Sequence, residues 1–359
     1  MRLSLLVTLS LIPCLAAAQQ PPMPPQPPPL HVQVDTAHHR VLITGGPYRV
    51  PVSPEMPGMM MDMAATPVQK FAFPVDGWLQ GFRIDLFDAH GHALSHRLLH
   101  HLIVVNFSRR QFIYPALERL LGVAEESDTG DLRVPRTIGV PMRAGQGLGV
   151  YAMWHNDSGP EIPAAYWRLI LYMANPSLRP RPIDVLPAYL DVNIQTNPVE
   201  NRFNVPPGHF EIAYEFSPPL SGHLLVVTGH LHDCGTLVKL VDAASGKTLV
   251  QVNAKRDSLG HVLSIPRKLL AIRGEGLHLK AGHRYRLVGV FDNPTRDTSY
   301  GAMAEMVGLF APDHYREWPA LDPADLYYHR DLVALLANGA TDSVIVGVGA
   351  GVPTPERRR

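Results

Sequence analysis

Two histidine signatures stand far apart in this chain, and a methionine follows the second. The first is the adjacent pair His100-His101, at the start of the apolar run Leu102 to Val105. The second is His230-Leu231-His232, which closes the apolar run Leu224 to Val227. A single histidine, His155, lies between them, and Glu305-Met306 comes after. Imidazole is the commonest side-chain metal ligand, and a thioether is a soft one. A site mixing two histidines with a methionine selects copper, above all Cu(I), over zinc or magnesium. The chemistry this implies is redox rather than hydrolytic.

Strand geometry sets conditions on these residues. Neighbours along a strand point to opposite faces, so His100 and His101 can share an ion only where the strand ends or bulges. His230 and His232 are two apart and share a face. The bare His-x-His pattern also occurs in cupins, but those want a glutamate a few residues on, and Asp233 to Leu237 supplies none. The metallo-β-lactamase pattern wants His-x-His-x-Asp-His, and here the text runs His-x-His-Asp-Cys. Taken alone, Met306 would be a core gap-filler, and His155 a loop histidine.

The elements that must hold these residues read as strands. Pro 35 and Gly 29 are high counts spread along the chain as punctuation, which suits many short strands and an all-β fold. Strands are expected over 70–74, 78–87, 101–107, 148–154 and 166–173, with a short helix over 112–122. A second group is expected over 209–216, 223–228, 236–241, 248–253, 285–291 and 305–310, with a hairpin turn at Ser245-Gly246. Asp322-Pro323 reads as the N-cap and first position of a terminal helix ending at Gly339. The expected architecture is two tandem antiparallel β-sandwich, jelly-roll-like domains, at 31–178 and 186–312, divided by the proline-rich stretch 175–187. A helical and loose tail follows over 313–359.

In this order and context the ligand set resembles the copper type II, ascorbate-dependent monooxygenases. That family has a His-His pair and then a lone histidine in its first domain. A His-x-His and a methionine in a Glu-Met context follow in its second. The resemblance runs from about His31 to Phe310 and is strongest in the second half. It implies two mononuclear coppers. One, held by His100, His101 and His155, would store and pass an electron. The other, held by His230, His232 and Met306, would be the catalytic site that activates O₂. The implied reaction hydroxylates a C–H bond of a small-molecule substrate, with ascorbate or another reductant as electron donor. The chain departs from the peptide-amidating member where that protein anchors its substrate. Thr228 stands in place of an arginine, and Gly308 and Phe310 in place of an asparagine and a tyrosine.

Residues 1–18 read as a secretory signal peptide and 19–30 as a proline-rich extended leader, which implies a secreted or periplasmic protein. Lys+Arg 32 balance Asp+Glu 32, so nucleic acid is not an expected partner, and no segment has the length of a membrane span. Cys234 is the one cysteine left after the signal is removed, so no internal disulfide is expected. Met56, Met59, Met60, Met61 and Met63 could form a soft Cu(I)-capturing loop or an apolar surface loop. Two rivals to the monooxygenase reading follow. One is a non-catalytic periplasmic copper-binding or copper-handling protein, favoured by the methionine loop and the missing substrate anchors. The other is an adhesion or carbohydrate-binding module in which the histidines are accidental.

Overall fold

A computed structural model describes residues 27–52, 66–126, 131–156, 159–194, 201–271, 275–337, 339–342 and 344–346. The expected signal peptide and the Met56 to Met63 cluster lie outside these residues. The chain is mostly β, as expected, with a single α-helix among the described residues. No described helix is long and apolar enough to cross a membrane.

The first half is built on two sheets. One centres on Arg40–Val50, Ile162–Met173 and Gly77–Asp88, antiparallel to one another. The other runs in the order Val68–Ala72, Gly147–Trp154, Leu99–Arg110, Leu117–Ala124. Their facing sides meet in one core, where Val41, Ile43, Ile84 and Leu169 join Leu102, Val104, Leu148 and Val150. Ile103, Val105 and Phe107 alternate with these and pack instead with Leu332 and Leu335 of the helix Leu326–Leu335. The run Leu102 to Val105 is continuously apolar because both of its faces are covered.

The second half repeats the scheme. Leu186–Asp191, Ala304–Pro312 and Gly222–Leu231 form one sheet. Gly208–Phe216, Tyr285–Asn293, Gly235–Asp242 and Thr248–Asn253 form the other. Leu190, Leu224, Val227, Leu231, Met306 and Phe310 share a core with Val238, Leu240, Val250, Leu287 and Phe291.

The expected helix over 112–122 is not formed. Pro115 cannot donate within a helix, and the segment bends before Leu117–Ala124 pairs as a strand with Leu99–Arg110. The bend serves as the joint between the halves. Phe112 enters the second core, its ring 4.2 Å from that of Phe310. The Tyr114 hydroxyl donates to the Asp191 carbonyl at 2.5 Å and accepts from the Asp191 amide at 3.0 Å.

The terminal helix begins later than the sequence suggested. Asp325, not Asp322, is its cap and accepts from the Tyr327 amide at 2.7 Å. The helix is clasped to the first half by Asp331, which is fully buried. Its carboxylate takes both Nη atoms of Arg119 at 2.6 Å and the Leu117 amide at 2.9 Å. One short strand lies within the tail expected over 313–359. Val344–Val346 adds in parallel to Leu30–Asp35, because the first strand otherwise leaves an open edge.

A histidine cluster between the two halves

The adjacent pair His100-His101 lies where the strand register slips. Between Leu99 and His101 the pairing with Gly147–Trp154 shifts by a bulge. The bulge meets the condition for two neighbouring side chains to converge, and the two rings sit 4.1 Å apart. In the second half, His230 faces Glu305 across the sheet at the end of Gly222–Leu231, and His232 follows just past the strand. Two positions apart, their rings lie 4.9 Å from each other.

The joint brings these two strand ends together. His101 Nε2 lies 3.2 Å from His230 Nε2. The rings of His100 and His232 are 5.5 Å apart. Ligand-capable atoms of His100, His101 and His232 all lie within 4.8 Å of one another. Histidines assigned by sequence to two separate sets therefore form one cluster, shared between the halves.

Each ring is aimed by its second nitrogen. His230 Nδ1 hydrogen-bonds the buried carboxylate of Glu126, which turns Nε2 toward His101. His232 Nδ1 donates to the Gly301 carbonyl at 2.8 Å, which leaves Nε2 buried and without a hydrogen-bond partner. Both ring nitrogens of His100 are likewise buried and unpartnered. Unsatisfied buried polar atoms are costly. One nitrogen each of His100 and His232 lies within 4.8 Å of a nitrogen of His101.

The electrostatics differ from ring to ring. Glu126, Glu305 and Asp191 are buried carboxylates whose fields reach His230. Burial alone would lower the His230 pKa, but Glu126 above all, with Glu305 and Asp191, raises it to about 9. Burial pushes His101 and His232 well below the usual imidazole range, and positive neighbours add to this. Glu305 is raised to about 7, chiefly by burial; its carboxyl accepts from the Tyr189 hydroxyl at 2.7 Å.

The other two expected ligands are placed differently. His155 stands at the rim, its ring 6.4 Å from His100, with Nδ1 3.9 Å from Glu125. Met306 lies on the opposite face of its strand from Glu305. It is paired with Gly229 and Leu190 and belongs to the apolar core of the second half. Because Glu305 is opposite His230, it is the glutamate of the Glu-Met pair that looks toward the cluster. Sequence reasoning missed Glu125 and Glu126. Their position follows from the pairing of His101 with Ala124, which the misassigned helix concealed. Cys234 is buried with a positive φ of 68° and sits in the second core.

Donor chemistry fits a transition metal. Two nitrogens bound tetrahedrally at about 2.0–2.1 Å stand about 3.3 Å apart, close to the 3.2 Å between His101 and His230. Carboxylate and carbonyl acceptors on the far nitrogens are what metal-bound histidines use to fix tautomer and direction.

No family model and no curated protein matches this chain. Among solved structures, one of PNGF-II aligns at 11% identity and a TM-score of 0.35, covering 74% of this chain and 65% of that one. A second PNGF-II structure aligns at 10% identity and 0.29, covering 79% and 61%. The infectious bursal virus derived T=1 particle aligns at 10% identity and 0.23, covering 79% and 72%. The chain thus spans 65% and 61% of the two PNGF-II chains, and likenesses at this level carry no functional argument.

Proposed function

We propose that this chain is an exported copper-binding protein whose metal centre is assembled from both halves. His100, His101 and His232 would supply the principal nitrogens, with His230 as a fourth. The observation that carries the reading is the close approach of His101 and His230 Nε2 atoms beside the buried, unpartnered nitrogens of His100 and His232. An all-imidazole set suits copper and zinc, and divalent copper binds such sites more tightly. The ligand order shared with the copper monooxygenases points the same way.

The protein's own groups would prepare such a centre. His101 and His232 stay neutral at neutral pH, so their lone pairs are available. His230 carries a proton that a bound cation would displace. The three buried carboxylates around it offset the charge of a divalent ion, and Glu126 and Gly301 hold the rings in place. Copper, when bound, would supply one-electron redox chemistry.

Of the two copper readings, binding and handling is favoured over hydroxylation. Hydroxylation by O₂ and a reductant such as ascorbate rests, in the resembled family, on a thioether beside the His-x-His, and Met306 here faces the core. Loading the purified protein with copper and zinc in competition tests the proposal. Retention of copper through imidazole nitrogen, lost in His101→Ala, is expected. Absence of bound copper, or binding unchanged by His101→Ala, would contradict it. Ascorbate-driven O₂ consumption by the loaded protein would instead support hydroxylation.

A further inference from the structure

The shared centre uses one nitrogen of His100, and the other faces a second set of donors. His100 Nδ1 lies 3.7 Å from Glu125 Oε1. The second oxygen of the same carboxylate lies 3.9 Å from His155 Nδ1. Neither separation is a hydrogen bond. Donor atoms held tetrahedrally at about 2.0–2.2 Å around one ion stand roughly 3.3–3.6 Å apart, so the part-exposed Glu125 and His155 side chains need close by only a few tenths of an ångström. The backbone fixes the donors. The Glu125 amide donates to the His100 carbonyl at 3.3 Å, and the His155 amide to the Leu98 carbonyl at 3.0 Å.

An orienting carboxylate would close on the His100 N–H to hydrogen-bond distance. Instead the ring is buried with both nitrogens unpartnered. Its neighbours on this side reach solvent, with side-chain exposures of 38% for Glu125 and 27% for His155. These two donors are therefore within reach of solvent.

We propose that the protein holds a second divalent transition-metal ion between Glu125, His155 and Nδ1 of His100, so that the His100 ring bridges two ions. This rests on the shared centre proposed above. On taking the second ion the ring gives up its N–H proton to solvent, and no other bond changes. The second position is the outer of the two, next to solvent.

The test uses the full chain saturated with Cu(II), with metal analysis and electron paramagnetic resonance on the same sample. Two copper ions per chain are expected, with an intensity well below that of two independent spins and a half-field line, because a bridging imidazolate couples them. Glu125→Gln and His155→Asn should each lower the content to one copper and restore a full single-spin signal. One copper per chain in the unaltered protein would overturn the second position and leave the shared centre standing. So would two coppers at full uncoupled intensity, or two coupled coppers in Glu125→Gln. Absence of any copper overturns both.

Discussion

His101 and His230 are separated by 129 residues, yet their Nε2 atoms are 3.2 Å apart. In the metal-free protein this contact is a hydrogen bond. His230, raised to about 9, donates from Nε2 to His101, which burial keeps neutral. A proton thus lies between the two nitrogens, and the contact joins the two halves.

This proton sets a pH dependence for the metal-free protein. The folded His230 pKa lies above the ordinary 6.5, so its contribution is fully present below that value and is lost as pH rises through about 9. His101 and His232 are depressed, so stability falls as pH drops below 6.5, where the unfolded chain binds protons that the folded chain does not. The melting temperature should therefore peak near pH 6.5 and fall on both sides. Scans across pH on His230→Gln should show the alkaline limb flattened. An unaltered alkaline limb would show that His230 does not carry it.

Met306→Ile separates a core role from a ligand role. The swap nearly conserves volume, so the cost should stay below about 1.5 kcal/mol, and copper affinity measured by competition should not change. A fall in Cu(I) affinity without a fall in melting temperature would place the sulfur in the metal site instead.

Asp331→Ala should cost about 3 kcal/mol, because it removes the fully buried partner of a part-buried Arg119 guanidinium. Chemical denaturation measures this directly. Since the clasp lies on the helix side of the first half, copper bound by the surviving folded protein should be unaffected. A cost below 1 kcal/mol, on the scale of a surface ion pair, would show that the clasp does not hold.

The sequence carried the all-β class and most strands, since alternation and proline spacing are local signals. Leu102 and Val104 alternate with Ile103 and Val105, but only the tertiary arrangement shows that the terminal helix covers the second face. The histidines were legible one half at a time. Their convergence was not, because it depends on a bulge at Leu99 to His101 and on the bend at Phe112 to Ala116 that seats Phe112 in the other core. The same bend, taken for a helix, hid Glu125 and Glu126. The Glu-Met pair was read for its sulfur, whereas strand pairing sets Glu305 opposite His230 and turns Met306 inward.

Whether one ion is shared by both halves is decided by counting tightly held copper in His101→Ala, His232→Ala and the double variant, each in the presence of a competing chelator. Ligands of one ion should not add, so both single variants and the double variant should lose the same one copper relative to the unaltered protein. Loss of one copper in each single variant and of two in the double variant would mean that the halves bind separate ions, and would contradict the shared centre.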